Sequence, residues 1–330
     1  MALALGLAGN AAYAKPPVII TLSATSSGAE IQKALDSLPP KGEVILLEGR
    51  YEISHPLRLR HDYMTLRGSG PKTLLHLSAA ANCPVVILGP PLTRGKRPLS
   101  HVRLANLQIY GNRRNQKVEL WRTVGDGSEF NNDGVEIWNV NDALVEHVTC
   151  SRCRSGGLVS SKARRMVVSD FESFDNQFDG LACYLTEDCQ FQDLRLHDNI
   201  AAGISLDLAF NHNLFTNVAL FGNDLGVFMR YSKYNVFKAM SIWKCRHDGV
   251  FMAQTAEPST NGWHLSPGTE CTGNDFENLL VRDCGGRAFR VNDASCTNNM
   301  ISAAQFRRNR SGGMSQPASN PVVLRDVVER

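Results

Sequence analysis

The sequence predicts an all-β protein: a single-stranded right-handed parallel β-helix of about ten coils with an N-terminal capping helix. Three observations lead to this fold class. A glycine recurs at a constant interval, a short strand segment follows each of these glycines, and Asn, Asp and Gly turns separate the segments. Of the 330 residues, 43% are hydrophobic and 20% are charged, which excludes a disordered chain and a coiled coil.

The repeat has a period of 23 residues and is marked by six phased glycines: Gly134, Gly157, Gly180, Gly203, Gly226 and Gly249. A second apolar patch follows each strand segment about ten residues later, as at 144–145 and 167–168. Segments this short do not suit a helical solenoid, and the Leu-x-x-Leu-x-Leu frame of leucine-rich repeats is absent. Three short strands and three turns fill such a unit, and successive coils then stack about 4.8 Å apart.

The first part of the chain has patterns of its own. Residues 1–14 are small and apolar and end in Ala-Tyr-Ala, which indicates a signal-peptide remnant and a secreted or periplasmic protein. Residues 15–330 are expected to form one β-helix domain. Within it, residues 28–38 predict an amphipathic helix that covers the open first coil. The apolar face of this helix consists of Ile31, Ala34, Leu35 and Leu38.

Two stretches interrupt the regular pattern and are expected to be inserted loops, at 112–131 and at 254–270. The first contains Trp121, and the second contains Trp263 and His264. The next glycine in phase after Gly249 is expected to be Gly286, after a step of 37 residues. Irregular coils with short strands are expected around residues 44–47, 57–59, 64–66 and 85–88.

Charge and cysteine usage narrow the range of partners. The formal net charge is +3 and the pI is about 8.4, without the basic stripe of a nucleic-acid-binding protein. No run of 18 apolar residues predicts a membrane span, and we expect a monomer. Of the nine cysteines, Cys150 and Cys153 form a single Cys-x-x-Cys pair without a second pair at zinc spacing. Cysteines that recur in a repeat are expected to pack in its core.

With these features, the chain resembles the pectate-lyase-like superfamily of secreted, carbohydrate-active β-helices. The resemblance rests on the capping helix, the phased glycines and the stretches 42–51 and 66–70. It is closest in style to alginate-acting lyases and mannuronan epimerases. It lacks their Asp-Pro-His signature, because Ile204-Ser205-Leu206-Asp207 stands at that place. The resemblance implies an active site on the outer face of the strand that follows each phased glycine.

Strand alternation identifies the residues on that outer face. The second and fourth residues after each phased glycine point outward, so Tyr184, Asp207 and Arg230 stack on three successive coils. Arg230 suits the neutralisation of a uronate carboxylate, which stabilises the enolate-like intermediate of proton abstraction. Tyr184 would transfer the proton, with its pKa lowered by a neighbouring cation, and Asp207 would orient its neighbours. The predicted function is β-elimination or epimerisation of an acidic polysaccharide.

Aromatic and basic residues flank this trio and suit the binding of sugar rings. The candidate substrate-binding residues are Trp138, Phe228, Phe251, Trp263, His264 and Lys233. Calcium is a candidate cofactor, since Asp175, Asp198 and Asp224 offer turn oxygens, although stacked turns explain these residues as well. His212 and His247 are alternative proton carriers in turns.

Other functions stay open. The trio is also explained by a surface charge ladder on a non-catalytic glycan-binding or structural β-helix. A third alternative is a glycoside hydrolase with Asp207 and either Glu187 or Asp188 as carboxylates. Residues 131–134 are similar to the Asn-x-Asp-Gly motif of polygalacturonases, but no acid follows on the next coil. We therefore interpret Asp133, Asp179 and Asp248, which each precede a phased glycine, as turn residues.

Overall fold

A computed structural model describes residues 16–90, 97–117, 122–124, 128–259, 262–319 and 322–330. The predicted signal-peptide remnant at 1–14 and Trp121 lie outside the described residues. The described chain is a parallel β-helix built from two large sheets. Over these residues, no helix is long and apolar enough to cross a membrane.

Sheet A follows two sides of each coil, and sheet B forms the third. The strands of sheet A are Ile19–Leu22, Glu43–Leu46, Gly49–Ile53, Thr65–Gly68, Thr73–Leu77, Arg103–Tyr110, Leu144–Ser151, Val167–Phe174, Gln190–His197, Leu214–Phe221, Val236–Trp243, Asp275–Arg282, Met300–Ser302, Gln305–Arg307, Val323–Arg325 and Val328–Glu329. The strands of sheet B are Leu57–Leu59, Val86–Leu88, Leu99–Ser100, Val135–Asn141, Leu158–Arg164, Leu181–Tyr184, Ala202–Asp207, Leu225–Arg230, Val250–Ala253, Phe289–Val291 and Met314–Ser315.

The number of coils is about twelve, as the twelve strands stacked along sheet A show, and not about ten as expected. The coils that the count missed lie at the two ends. The first strand, Ile19–Leu22, and the last stacked strand, Val323–Arg325, have no phased glycine before them. The prediction of an all-β parallel β-helix is confirmed.

The 23-residue register is continuous through the regular coils. Val135 pairs with Leu158, which pairs with Leu181 on the following coil. The first and third residues after each phased glycine are fully buried, so they form the core ladders. The glycines are required by close coil stacking: a Cβ atom on Gly180 would lie 2.8 Å from the carbonyl oxygen of Gly203.

The predicted capping helix is present at Gly28–Ser37 and ends at Leu38. Ser27 and Glu30 form a capping box, in which each side chain satisfies the backbone N–H of the other residue. Ile31 and Leu35 are fully buried, and the helix contacts the first strands of both sheets. It therefore covers apolar surface that the first coils would otherwise expose.

Buried asparagine ladders join the coils at two corners. In one ladder, the Nδ2 atom of Asn176 donates to Oδ1 of Asn199 at 2.9 Å, and Nδ2 of Asn199 donates to Oδ1 of Asn223 at 3.0 Å. The second ladder consists of Asn213, Asn235, Asn274 and Asn299. Each side chain satisfies backbone groups that the bend removes from the strand ladder. All nine cysteines are buried, several of them at these corners.

Both inserted stretches contain an antiparallel hairpin. A single turn of 3-10 helix at Arg113–Asn115 precedes the first hairpin, which pairs Arg122–Val124 with Ser128–Phe130. The second pairs Ala256–Ser259 with Gly262–Leu265. Two further short strands, Phe210–Asn211 and Ser232–Lys233, pair at a corner.

The register after Gly249 differs from the expectation. Val250 pairs with Phe289, so the residue in phase is Ala288 and not Gly286. The step is therefore 39 residues rather than 37. Gly286 lies in the preceding turn, where a Cβ atom would come within 2.2 Å of Oδ1 of Asp248. The sequence favours Gly286 because glycine marks the phased position on the earlier coils, whereas here Ala288 takes that position and the glycine serves the turn.

Candidate functional site

The outer face of sheet B brings together the three predicted catalytic residues. Tyr184 and Asp207 are register partners on adjacent strands. Arg230, one coil further on, donates a hydrogen bond through Nη2 to Oδ2 of Asp207. Asp207 is 5% exposed as a residue, whereas the Arg230 side chain is 38% exposed. The Arg230 guanidinium thus presents N–H donors to solvent, while the buried Asp207 carboxylate holds it in position.

Several contacts fix this ion pair. The backbone N–H of Leu208 donates to Oδ1 of Asp207 at 2.7 Å, so both carboxylate oxygens are occupied. The Arg230 guanidinium carbon lies 5.2 Å from the centre of the Phe228 ring, a cation–π contact. The Nε atom of Arg230 is buried and has no hydrogen-bond partner among the described residues. Phe228 and Asp207 together orient the guanidinium.

The pKa of Tyr184 differs from the expectation. Burial raises the pKa of the Tyr184 phenol, and the negative charges of Asp179, Asp133 and Asp207 raise it further. The prediction that a neighbouring cation lowers this pKa is wrong, because Arg230 is already paired with Asp207 and carboxyl groups surround the phenol. At neutral pH the Tyr184 phenol therefore keeps its proton.

A pair of buried carboxyl groups lies beside this trio and was missed by the sequence analysis. Asp133 is 1% exposed and Glu136 is 2% exposed. Burial, together with the charge of Asp133, raises the pKa of Glu136 well above its ordinary value. Burial also raises the pKa of Asp133, to about 6. Glu136 therefore keeps its proton at neutral pH, as expected when two carboxyls lie close together away from water.

Asp179 completes this acidic cluster. It is half-buried, and burial together with the charge of Asp133 raises its pKa to about 7. Its Oδ1 atom accepts the backbone N–H of Ala202 at 2.8 Å, just as Oδ1 of Asp133 accepts that of Gly156 at 2.7 Å. The turn interpretation therefore accounts for one oxygen of each carboxylate. The signal in the sequence was an acid directly before the phased glycine, on the coil of Tyr184 for Asp179 and two coils earlier for Asp133.

The predicted substrate-binding residues are only partly brought together. Phe228 and Phe251 pack with ring centres 5.8 Å apart, and the Arg290 guanidinium lies 4.7 Å above the Phe251 ring. Trp138 is partly buried against the core, with the Lys162 ammonium 4.9 Å from its ring. Lys233 instead forms an ion pair with Glu270 at 2.7 Å.

The inserted loop 254–270 holds two further predicted substrate-binding residues, Trp263 and His264. His264 is exposed, and the side chain of Trp263 lies outside the described residues. The alternative carboxylates Glu187 and Asp188 both lie within ion-pair distance of Arg164, at 3.5 and 3.1 Å, at a corner of the coil. His212 stacks on Tyr234, and His247 bonds to Asp224 at 2.8 Å.

The candidate calcium ligands are paired with basic side chains. Asp175 accepts from Arg113 at 2.8 Å and from Arg152 at 2.9 Å. Asp198 bonds to His197 at 2.7 Å, and Asp224 to Arg246 at 3.3 Å. These contacts agree with stacked, charge-paired turns. Within the described parts of the chain, no group of three or more His, Cys, Asp or Glu residues is arranged to hold a metal ion.

The chain matches the sequence model of one known protein family. The family model described as periplasmic copper-binding protein (NosD) matches residues 105–279, more than half of the chain. The chain belongs to the NosD family. A comparison with curated proteins found no match.

Solved structures that resemble this NosD-family chain are β-helices of several kinds. The ORF18 protein of Geobacillus virus E2 has 13% identity and a TM-score of 0.72 over 91% of this chain, which spans 60% of that protein. The A-module of a mannuronan C-5 epimerase from Azotobacter vinelandii has 14% identity and a TM-score of 0.55, covering 91% of this chain and 94% of its own. An alginate lyase from a Paenibacillus species has 10% identity and a TM-score of 0.63, covering 91% and 99%. At these identities the likeness establishes the fold alone.

The copper of the family description does not fit the described residues of this NosD-family member. Copper sites use thiolate, thioether or imidazole ligands that converge on one point. Burial raises the pKa of the Cys150, Cys153 and Cys183 thiols, so these groups stay protonated in the core. Several of the described histidines are instead engaged with carboxylates or aromatic rings at separate corners, as at His197 and His212.

Proposed function

We propose that this protein binds an acidic polysaccharide along the outer face of sheet B and acts on its uronate units by proton transfer, through β-elimination or epimerisation. The single observation that carries the proposal is the cluster formed by Tyr184, Asp179, Asp207 and Arg230. It offers a fixed cation, a protonated phenol and a carboxyl group with a pKa of about 7 on neighbouring coils.

Arg230 is assigned to the substrate carboxylate. The hydrogen bond to Asp207 occupies Nη2, and the exposed remainder of the guanidinium can donate to a second carboxylate. Neutralising that carboxylate lowers the energy of the carbanion formed when the adjacent C5 proton leaves. Asp207 is a positioning residue for Arg230, because both of its oxygens already accept hydrogen bonds.

Asp179 and Tyr184 are assigned to the two ends of the proton transfer. A carboxyl group with a pKa of about 7 is ionised in about half of the molecules at neutral pH and is matched to the role of general base. Tyr184, whose pKa is raised, remains a phenol and donates a proton. In β-elimination the proton from Tyr184 goes to the leaving glycosidic oxygen. In epimerisation it goes to C5 on the face opposite to the one that lost its proton.

The surroundings of the cluster support an elongated ligand. Phe228, Phe251 and the Arg290 guanidinium continue along the axis from Arg230, and Trp138 lies on the other side of Tyr184. An extended chain along this axis meets aromatic surface and positive charge at successive coils. The names of the mannuronan epimerase and alginate lyase that share the fold agree with a uronate substrate, and the family description agrees with a periplasmic location.

The proposal is tested by incubation with alginate and with polygalacturonate. β-Elimination is followed by the absorbance of unsaturated uronates, and epimerisation by deuterium uptake at C5 in D2O. We expect Tyr184→Phe, Asp179→Asn and Arg230→Ala each to lower turnover by at least about 100-fold. Arg165→Ala is the matched control, because Arg165 also pairs with an aspartate 23 residues away, Asp142, at 2.8 Å. Product formation that persists in all three site variants would overturn the assignment.

A non-catalytic glycan-binding role is the second candidate. It is favoured by the Arg230–Asp207 ion pair itself, since paired charges on adjacent coils stabilise the fold without any ligand. Retention on an immobilised uronate polymer that Arg230→Ala weakens, with no product from any tested polymer, would establish this alternative. New reducing ends without unsaturated product would instead indicate hydrolysis.

A further inference from the structure

Two cysteines face each other at the foot of the inserted loop 254–270. The loop leaves the core after Ala253 and returns at Cys271, and Cys296 lies beside Cys271 on the next coil. The backbone N–H of Cys271 donates to Sγ of Cys296 at 3.4 Å, and the Cys271 thiol donates to the carbonyl oxygen of Ala253 at 3.4 Å. Both cysteines are buried.

The spacing of the coils suits a covalent link. Neighbouring strands lie about 4.8 Å apart, which is within the range of about 4.4 to 6.8 Å between Cα atoms joined by a disulfide. The Cys296 sulfur lies 3.4 Å from the backbone nitrogen of Cys271. Forming the bond requires the Cys271 thiol to rotate away from the carbonyl oxygen of Ala253.

The segment that carries Cys296 also holds the other end of the loop. The Asp293 carboxylate accepts the backbone N–H of Gln254 at 2.8 Å, and the Ser295 hydroxyl donates to the Gln254 side chain. The Gln254 amide in turn donates to the carbonyl oxygen of Ser266 at 2.6 Å. Residues 293–296 therefore contact Gln254, the first residue of the inserted loop, and Cys271, the residue that follows its last.

We propose that Cys271 and Cys296 form a disulfide that fixes the foot of the inserted loop 254–270 to the next coil. Two thiols lose two protons and two electrons as the S–S bond forms. The electrons reduce the disulfide of an oxidant, either a thiol–disulfide oxidase or oxidised glutathione, to two thiols. Such oxidants act in secretory and periplasmic compartments.

The exchange takes place before the last coils close, because both sulfurs are buried in the folded protein. The first thiolate to form attacks the disulfide of the oxidant and releases one thiol from it. The other cysteine then attacks the resulting mixed disulfide, forms the S–S bond between Cys271 and Cys296, and releases the second thiol of the oxidant.

A second pair provides a comparison. Cys245 and Cys284 lie side by side on adjacent coils at another corner, where the backbone N–H of Gly285 donates to the Cys245 carbonyl at 2.9 Å. This pair does not hold the inserted loop. Cys245→Ser removes it as a source of cross-links and leaves the proposed pair intact.

The test uses the full chain carrying Cys245→Ser, refolded with oxidised and reduced glutathione. Free thiols are then alkylated in denaturant, and the peptides are mapped without reduction. We expect a cross-linked peptide that contains Cys271 and Cys296, and alkylation of the other six cysteines. Full alkylation of both Cys271 and Cys296 would overturn the proposal.

Limited proteolysis supplies a readout on the loop itself. We expect cleavage within residues 254–270 to be at least about tenfold slower in the oxidised chain than after reduction. Cys271→Ser should match the reduced protein under both conditions, and it should fold because Ser232 is buried at the same position one coil earlier. Equal cleavage rates in oxidised and reduced wild-type protein would contradict the proposed link. Neither readout uses a polysaccharide, so failure here is separate from failure of the proposed function.

Discussion

Arg230 donates to Asp207 across a single coil step, and the two residues form an ion pair whose acid is buried and whose base is half exposed. This asymmetry has consequences for stability as well as for substrate binding. Removing Arg230 leaves the buried carboxylate of Asp207 without a cation and with little access to water. Removing Asp207 leaves the Arg230 guanidinium, which water can reach.

The first prediction concerns this asymmetry. Arg230→Ala should lower the free energy of unfolding by about 2 to 3 kcal/mol, because Asp207 is left buried without its cation. Asp207→Asn should cost less, since the exposed Arg230 regains water. Urea unfolding measures both changes. Arg165→Ala, which breaks an exposed pair, should cost under about 1 kcal/mol. Equal losses for Arg230→Ala and Arg165→Ala would contradict this account.

The second prediction concerns pH and the Asp133 carboxyl group. Its pKa is raised from 3.8 to about 6 in the folded protein, so the folded chain keeps a proton that the unfolded chain releases between about pH 4 and pH 6. Stability should therefore fall as the pH rises through that window, by about 3 kcal/mol for a shift of about two units.

The test of that prediction is the variant Asp133→Asn, which keeps an acceptor for the backbone N–H of Gly156 and removes the charge. Its melting temperature should change less between pH 4 and pH 6 than that of the wild-type protein. Asp142→Asn serves as the control, because Arg165 lowers the pKa of Asp142 and the stability from that pair is lost only below about pH 4. Parallel curves for wild type and Asp133→Asn would show that Asp133 does not keep its proton.

The third prediction concerns the corner ladder of asparagines. The Asn199 amide accepts from Asn176 and donates to Asn223 and to the carbonyl of Ser173. Asn199→Ala leaves several buried groups without partners and should cost about 4 kcal/mol in urea unfolding. Gln192→Ala, on an exposed position of the neighbouring strand, should stay within about 0.5 kcal/mol of wild type. A small loss for Asn199→Ala would mean that water enters this corner.

The fourth prediction concerns the phased glycines. A Cβ atom on Gly226 would lie 2.3 Å from the carbonyl oxygen of Gly249 and 2.6 Å from the Ile242 side chain. Gly226→Ala should therefore destabilise the protein by about 3 kcal/mol or more, since two coils must separate locally. In the same column, Ala288→Gly removes only a buried methyl group and should cost about 1 kcal/mol. A melting temperature unchanged by Gly226→Ala would be incompatible with the stacking described.

The fold was predictable because its strongest constraint is periodic in the sequence. Each phased glycine is required by the carbonyl of the next coil, so the spacing of Gly134 to Gly249 reports the coil length directly. The end coils were missed because nothing stacks closely beyond them, and strands such as Val323–Arg325 need no glycine. Ala288 was missed because it bears a methyl group in a position that the repeat had marked with glycine.

For the candidate site, the sequence could predict only which side chains point to the same face of the strands. Alternation placed Tyr184, Asp207 and Arg230 on one face, because that relationship depends on sequence parity alone. The raised pKa values of Asp133 and Glu136 were not predictable, since they depend on how far the surrounding chain excludes water. The direction of the Tyr184 pKa shift has the same origin. Burial sets it first, and the charges of Asp179, Asp133 and Asp207 add to it, two of them from other coils that no local motif records.

The step from Gly249 to Ala288 carries sixteen residues more than the ordinary coil, yet the strands on both sides pair in unbroken register. Chain length at this corner is therefore independent of the hydrogen bonds that hold the coils together. Related chains can lengthen, shorten or exchange the hairpin at this place without altering a core residue. In such a scaffold, specificity can change quickly beside the site while the supporting structure changes slowly.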